Sequence, residues 1–151
     1  MRVALPSRLT RRLRRYACSD PGPLAFTEGA PPLIYAKGRT ELLSRPIVAV
    51  VGSRQSSAAG GQMARAFASG LGAAGYVVSS GLARGIDGAA HQASLDSGTI
   101  AVVAGGLDVV YPPEHRELQA AIGERGCLVS EMPLGFQPRA QDFPRRNRII
   151  S

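Results

Sequence analysis

Hydrophobic positions along this chain follow two alternating rhythms. Short continuous apolar runs are separated by stretches in which apolar residues recur every third or fourth position. Pro31-Pro32 precedes a brief apolar segment, Leu33 to Ala36, and Ile47-Val48-Ala49-Val50-Val51 is a β-branched run closed by Gly52. That run has the pattern of a strand buried on both faces of a parallel sheet. After the serine- and glycine-rich Ser53 to Gly61, Met63, Phe67 and Leu71 recur at fourfold spacing, with alanines filling the same face and Gly75 placed as a stop. This predicts an amphipathic helix that buries Met63, Phe67 and Leu71.

The alternation repeats. Tyr76 to Ser79 reads as a second strand, Ser80 to Ile86 as a loop, and the next helix runs from an N-cap near Asp87 to Ser97, with Gly98 past its end. Thr99 to Val103 is a third strand, Ala104 to Asp108 a Gly-Gly turn, and Pro113-Glu114 opens a helix with Leu118, Ala121 and Ile122 on one face. Leu128-Val129-Ser130 is a fourth strand. Strands alternating with helices imply right-handed crossovers, so the expected fold is α/β, a doubly wound, mostly parallel, Rossmann-like sheet with helices on both faces. Residues 31–151 form this domain. Residues 1–30, with their crowd of arginines followed by Ser19-Asp20-Pro21-Gly22-Pro23, read as a loosely held basic arm.

Composition narrows the class. A chain of 151 residues with 44% apolar and 19% charged residues suits one ordinary globular domain, and no apolar run is long enough to span a bilayer. Cys18 and Cys127 match no metal or redox spacing, so a reducing, cytoplasmic setting is expected. The net charge of +7 is uneven: +5 over residues 1–20, +3 over residues 137–151 and −1 between them. Two clusters carry the basicity, and their location decides what it means. An arginine-rich start also fits a transit peptide or a twin-arginine signal, but no apolar segment follows Arg11-Arg12.

Loops that follow parallel strands emerge at one edge of the sheet, where ligands bind. Here they are Gly52 to Ser57, Ser80 to Asp87, Ala104 to Asp108 and the long segment Glu131 to Asn147. Small residues at such turns leave amide N–H groups pointing outward at the start of the next helix, and Arg54 and Arg84 add charge, so the implied ligand is an anion. Each glycine alone reads better as a tight turn, and it is the three loops taken together with Arg54 and Arg84 that point to an anion. NAD is disfavoured, because the first loop reads GSRQSS and the second strand ends in serines without an acid. A P-loop is excluded, the only lysine being Lys37. Asp87 and His91 can be drawn as an acid–base pair, but a cap and a buried histidine explain them better. His115 reads as a surface residue, and Asp108 and Glu131 as arginine partners or loop acceptors. The segment from Asp142 sets Arg145, Arg146 and Arg148 around Asn147 beside Phe143, in a chain with eight Phe and Tyr residues and no Trp. Cations beside an aromatic face suit single-stranded nucleic acid, whereas a basic helix start with Phe143 as core is the competing reading.

The strings IVAVVGSR (47–54), SSGLARGIDGAAHQASL (79–95), TIAVVAGGLDVVYPPEH (99–115), LVSEMPLG (128–135) and FPRRNRIIS (143–151) resemble successive motifs of the DNA-processing protein A family, also called Smf. The resemblance covers residues 31–151. It implies a Rossmann-like domain that binds single-stranded DNA, protects incoming strands and promotes loading of RecA recombinase in natural transformation, with no cofactor and no enzymatic reaction. It assigns phosphate gripping to Gly52, Ser53 and Arg54, the adjacent turn to Gly81, Arg84 and Gly85, and completion of the pocket to Phe143, Arg145, Arg146 and Asn147, with the phenylalanine next to a base. A homodimer stays open. Ala104-Gly105-Gly106 stands where the family commonly shows Gly-x-Gly, and the family's sheet continues past the last motif, so an incomplete sheet with an uncovered edge is expected. The competing readings are a nucleotide-processing phosphoribohydrolase resembling lysine decarboxylases, whose Pro-Gly-Gly-x-Gly-Thr motif is replaced here by AGGLD, and an inactive fragment.

Overall fold

Five strands make one sheet in the order β1-β5-β4-β3-β2: β1 Tyr35–Gly38, β2 Ile47–Ala49, β3 Val77–Ser80, β4 Thr99–Val102 and β5 Cys127–Ser130. The computed structural model describes Pro31 and residues 33–150, so the basic arm assigned to residues 1–30 lies outside the described residues. β2 to β5 are parallel, with Ile47 beside Val77, Val78 beside Thr99 and Ile100 beside Cys127. β1 joins β5 antiparallel, Tyr35 beside Ser130. The helices are α1 Ala58–Ala73, α2 Ile86–Ser94, α3 Arg116–Arg125 and α4 Asp142–Ile150; 3-10 turns span Thr40–Ser44 and Pro113–His115.

The mostly parallel α/β reading holds. Because β2 to β5 succeed one another in one direction, right-handed crossovers put α1, α2 and α3 on the same face. There Val78 packs with Ala68 and Ala90, while Ala101 and Leu128 pack with Leu82 and Ile122. The opposite face is covered by the Thr40–Ser44 turn and by α4. Leu42, Leu43, Ile149 and Ile150 close over Val77, Ile100, Val102, Cys127 and Val129.

Three expectations change. The Ile47–Val51 run is not buried on both faces: β2 is an edge strand paired only with β3, and Ile47 and Val51 are exposed. In α1 the predicted core face is rotated, and of its three large residues only Leu71 keeps its place, partly buried against Ala68, Val78 and Ala90. Met63 and Phe67 are 62% and 63% exposed, whereas Gly61, Ala64 and Ala68 are buried. Small residues let α1 approach α2 closely, and that contact selects the face against the larger side chains. Finally, Asp87 does not cap α2; Gly85 holds the N-cap position, at φ +73°. No helix among the described residues is long and apolar enough to cross a membrane.

Candidate functional site

The loops after β2, β3, β4 and β5 meet at one edge of the sheet, around a small cleft of about 50 Å3. Arg54, Arg84 and Arg146 line it together with Gly81, Gly105, Tyr111, Pro138 and Phe143. Its outer rim continues over Pro144 and Asn147. A second hollow, over the end of β2, is lined by Gly52, Arg54, Asp87, Arg146, Asn147 and Arg148. Arg54 forms the wall shared by these hollows. Its guanidinium carbon lies 5.3 Å from the centroid of Phe143, and the Phe143 ring is 5.1 Å from that of Tyr111.

The loop Gly81 to Gly85 is held from within. The Asp87 carboxylate accepts from the amides of Gly81 (3.2 Å) and Ala83 (3.3 Å), and Gly88 N donates to Ala83 O. The amides of Gly81 and Ala83 therefore do not point outward for a ligand. Gly81 is needed for close approach, since a Cβ there would sit 2.7 Å from the Arg146 guanidinium. Gly85 is needed for its backbone: beyond the positive φ, a Cβ would meet Ser53 O at 2.3 Å. Ile86 N donates to that same Ser53 carbonyl, which ties the first and second loops together.

Arg146 is 6% exposed and is both a wall of the cleft and an internal clamp. It donates to Gly81 O (2.7 Å), to Val102 O and to Asn147 Oδ1 (3.2 Å), joining the ends of β3 and β4 to α4. Burial pushes its pKa down to about 10, with Asp87 opposing the shift and Arg54 reinforcing it, so it stays charged at neutral pH. Arg84 is exposed and pairs with Glu114, whose own backbone N–H and Arg84 hold its carboxyl below the usual range. Arg148 pairs with Glu131, and Asp108 Oδ1 accepts from Gly135 N at 2.8 Å, so both acids serve as partner and loop acceptor as expected. Among the described residues no carboxylate forms an ion pair with Arg54.

The expected residues divide accordingly. Arg54, Gly81, Arg84, Phe143 and Arg146 share the cleft, with Asn147 on its rim and Gly52 in the neighbouring hollow. Ser53, Gly85 and Arg145 line none of these. The Ser53 hydroxyl is engaged in its own turn with Gln55, Gly85 packs behind the loop, and Arg145 is exposed on α4. His91 is fully buried, its Nδ1 2.7 Å from Thr99 Oγ1, and burial pushes its pKa down to about 3, with the charges of His115 and Arg146 adding. His115 is not a free surface residue; its Nδ1 donates to Leu82 O at 3.1 Å. Tyr111 was missed, and its only signal was an aromatic beside Pro112-Pro113 in the third loop. No cluster of three or more His, Cys, Asp or Glu side chains able to hold a metal occurs among the described residues.

Comparison with known proteins agrees with this architecture. The protein is 44% identical to Protein Smf of Escherichia coli over 134 residues, covering 87% of this chain and 36% of the relative. It is 46% identical to the DNA processing protein DprA of Streptococcus pneumoniae over 133 residues, covering 87% and 47%. The crystal structure of DprA from that organism superposes with a TM-score of 0.85 at 41% identity, over 95% of this chain and 53% of that one. The DNA processing protein A of Helicobacter pylori, whose structure bears on its unique single-stranded DNA binding mode, superposes at 0.84 and 29% identity, over 89% and 63%. The chain thus spans about half or less of the curated relatives named here. The family model for DNA recombination-mediator protein A matches residues 15–151, and the chain belongs to that family.

Proposed function

We propose that this chain binds single-stranded DNA along the cleft, through phosphates at Arg54, Arg84 and Arg146 and through a base against Phe143. The observation that carries this reading is the meeting of three guanidinium groups and a two-ring aromatic wall at one sheet edge. Fixed cations track a sugar-phosphate backbone, while aromatic faces accept unstacked bases of any sequence. Family membership supports a role in DNA processing and recombination, with RecA recombinase as the receiving partner in natural transformation. A cytoplasmic site of action follows from that role, and self-association into a homodimer is compatible with it.

The site acts by binding and not by catalysis. The lining of the cleft consists of arginines, two aromatic rings, prolines, glycines and apolar residues, a surface that supports binding. Of the neighbouring acids, Glu131 is engaged by Arg148 and Asp87 by loop amides. The test is fluorescence anisotropy with a labelled oligothymidylate over a series of salt concentrations. Affinity should fall with salt at a log–log slope of about −0.7 per phosphate contacted, and duplex of equal length should bind more weakly. A salt-independent affinity, or release of free base from nucleoside monophosphates, would overturn the reading.

A further inference from the structure

Leu82 is the one non-glycine residue with positive φ among the described residues, at +56°. That conformation crowds Cβ against the backbone, and a bulky residue holds it only where the surroundings impose it. Its side chain is 1% exposed and packs with Val103, Leu107 and Leu128, so burial explains a leucine where glycine would carry no strain. Its backbone is fixed on three sides. Asp87 and Arg146 hold the flanking Gly81 and Ala83, and both belong to the site already described. The third hold comes from the separate Pro113–His115 turn, where His115 Nδ1 lies 3.1 Å from Leu82 O. A carbonyl only accepts, so Nδ1 carries the proton. The preceding residue of the same turn, Glu114, pairs with Arg84. One turn therefore grips the loop at Leu82 and again two residues further on, at the arginine that faces the cleft.

We propose that His115 is a positioning residue for single-stranded DNA binding: by holding Leu82 in its left-handed conformation it aims Arg84 into the cleft. His115 lines no part of the cleft and acts only through the loop. The inference rests on the reading of the cleft as the DNA site.

The experiment compares His115→Asn and His115→Gln in the full chain, using a labelled oligothymidylate across a salt series. The shorter amide places its nitrogen near the position of Nδ1 and restores the donor; the longer one places it near Nε2 and does not. The asparagine variant should match the parent in affinity and salt slope. The glutamine variant should bind about threefold to tenfold more weakly, the worth of one ordinary hydrogen bond, with a shallower slope. In an Arg84→Ala background the His115→Gln change should cost nothing further. The proposal is overturned if the glutamine variant binds like the parent, if the asparagine variant falls as far as the glutamine one, or if the cost persists without Arg84. In each of those cases salt-dependent binding by the parent leaves the cleft itself intact as the DNA site. Loss of salt dependence in the parent removes both.

Discussion

The Arg54 guanidinium lies 5.3 Å from the centroid of the Phe143 ring, a charge from the first loop resting on an aromatic from the last. The pair joins two chemistries in one wall, and they separate by experiment. Arg54→Ala should weaken oligonucleotide binding and make the salt dependence shallower by about 0.7 per phosphate released. Phe143→Leu should weaken binding by about 1–3 kcal/mol, the worth of a stacked base, with the slope unchanged. Arg54→Lys should fall between, since it keeps the charge and loses the planar contact with the ring. Equal slopes for the alanine and leucine variants would contradict this division of labour.

Arg146 has a second duty that Arg54 lacks. Replacing it with methionine leaves Gly81 O and Val102 O without their shared donor and removes the positive charge beside Asp87. Arg146→Met is expected to lower unfolding stability by about 3 kcal/mol. Arg54→Ala, at an exposed position, should stay within about 0.5 kcal/mol of the parent. Urea denaturation of the two variants checks this, and equal stabilities would refute the clamp.

His91 gives the fold an acid limit. Its imidazole is buried neutral with a pKa of about 3 against an ordinary 6.5, so the unfolded chain takes up the proton first as pH falls. Stability from this group is complete above 6.5 and is lost progressively between 6.5 and 3. The expected loss is about 2 kcal/mol by pH 5. Thermal melts from pH 7 to pH 5 should show it, and His91→Gln should flatten the dependence over that window, where carboxylates remain ionised.

The two faces of α1 should respond oppositely to their hydropathy. Phe67→Glu replaces an exposed ring and should change stability by no more than about 0.5 kcal/mol. Ala68→Leu adds volume against Ala90 and Val78 and should cost about 1–3 kcal/mol. A larger loss from the phenylalanine change would show that the buried face had been misassigned.

The strands, their parallel pairing and the convergence of Arg54, Arg84 and Arg146 were legible because apolar periodicity and the handedness of crossovers depend on local pattern. What stayed hidden depended on neighbours. The Ile47–Val51 run carries no mark of lying at a sheet edge. Met63 and Phe67 outweighed Ala64 and Ala68 on hydropathy, yet close helix approach rewards the smaller pair. Which of Arg145 and Arg146 turns inward was readable in principle, because Asp142, Arg146, Ile149 and Ile150 form one helical stripe and all are buried. Apolar bias hid it, since half of that stripe is charged. The grip of Asp87 on the loop amides was masked by its resemblance to an ordinary helix cap.

The tight seam between α1 and α2 gives the arginine cleft its mechanical character. Ala68 packs against Ala90 and offers no long side chain to yield, so the two helices lie close together. Each helix carries one lip of the binding edge at its leading end, and stitching through Ser53 O fastens those lips together. The span between Arg54 and Arg84 is then set remotely, by alanine-sized spacers along the seam. A single added methylene there is expected to shift the proposed DNA site without altering any residue that lines the cleft.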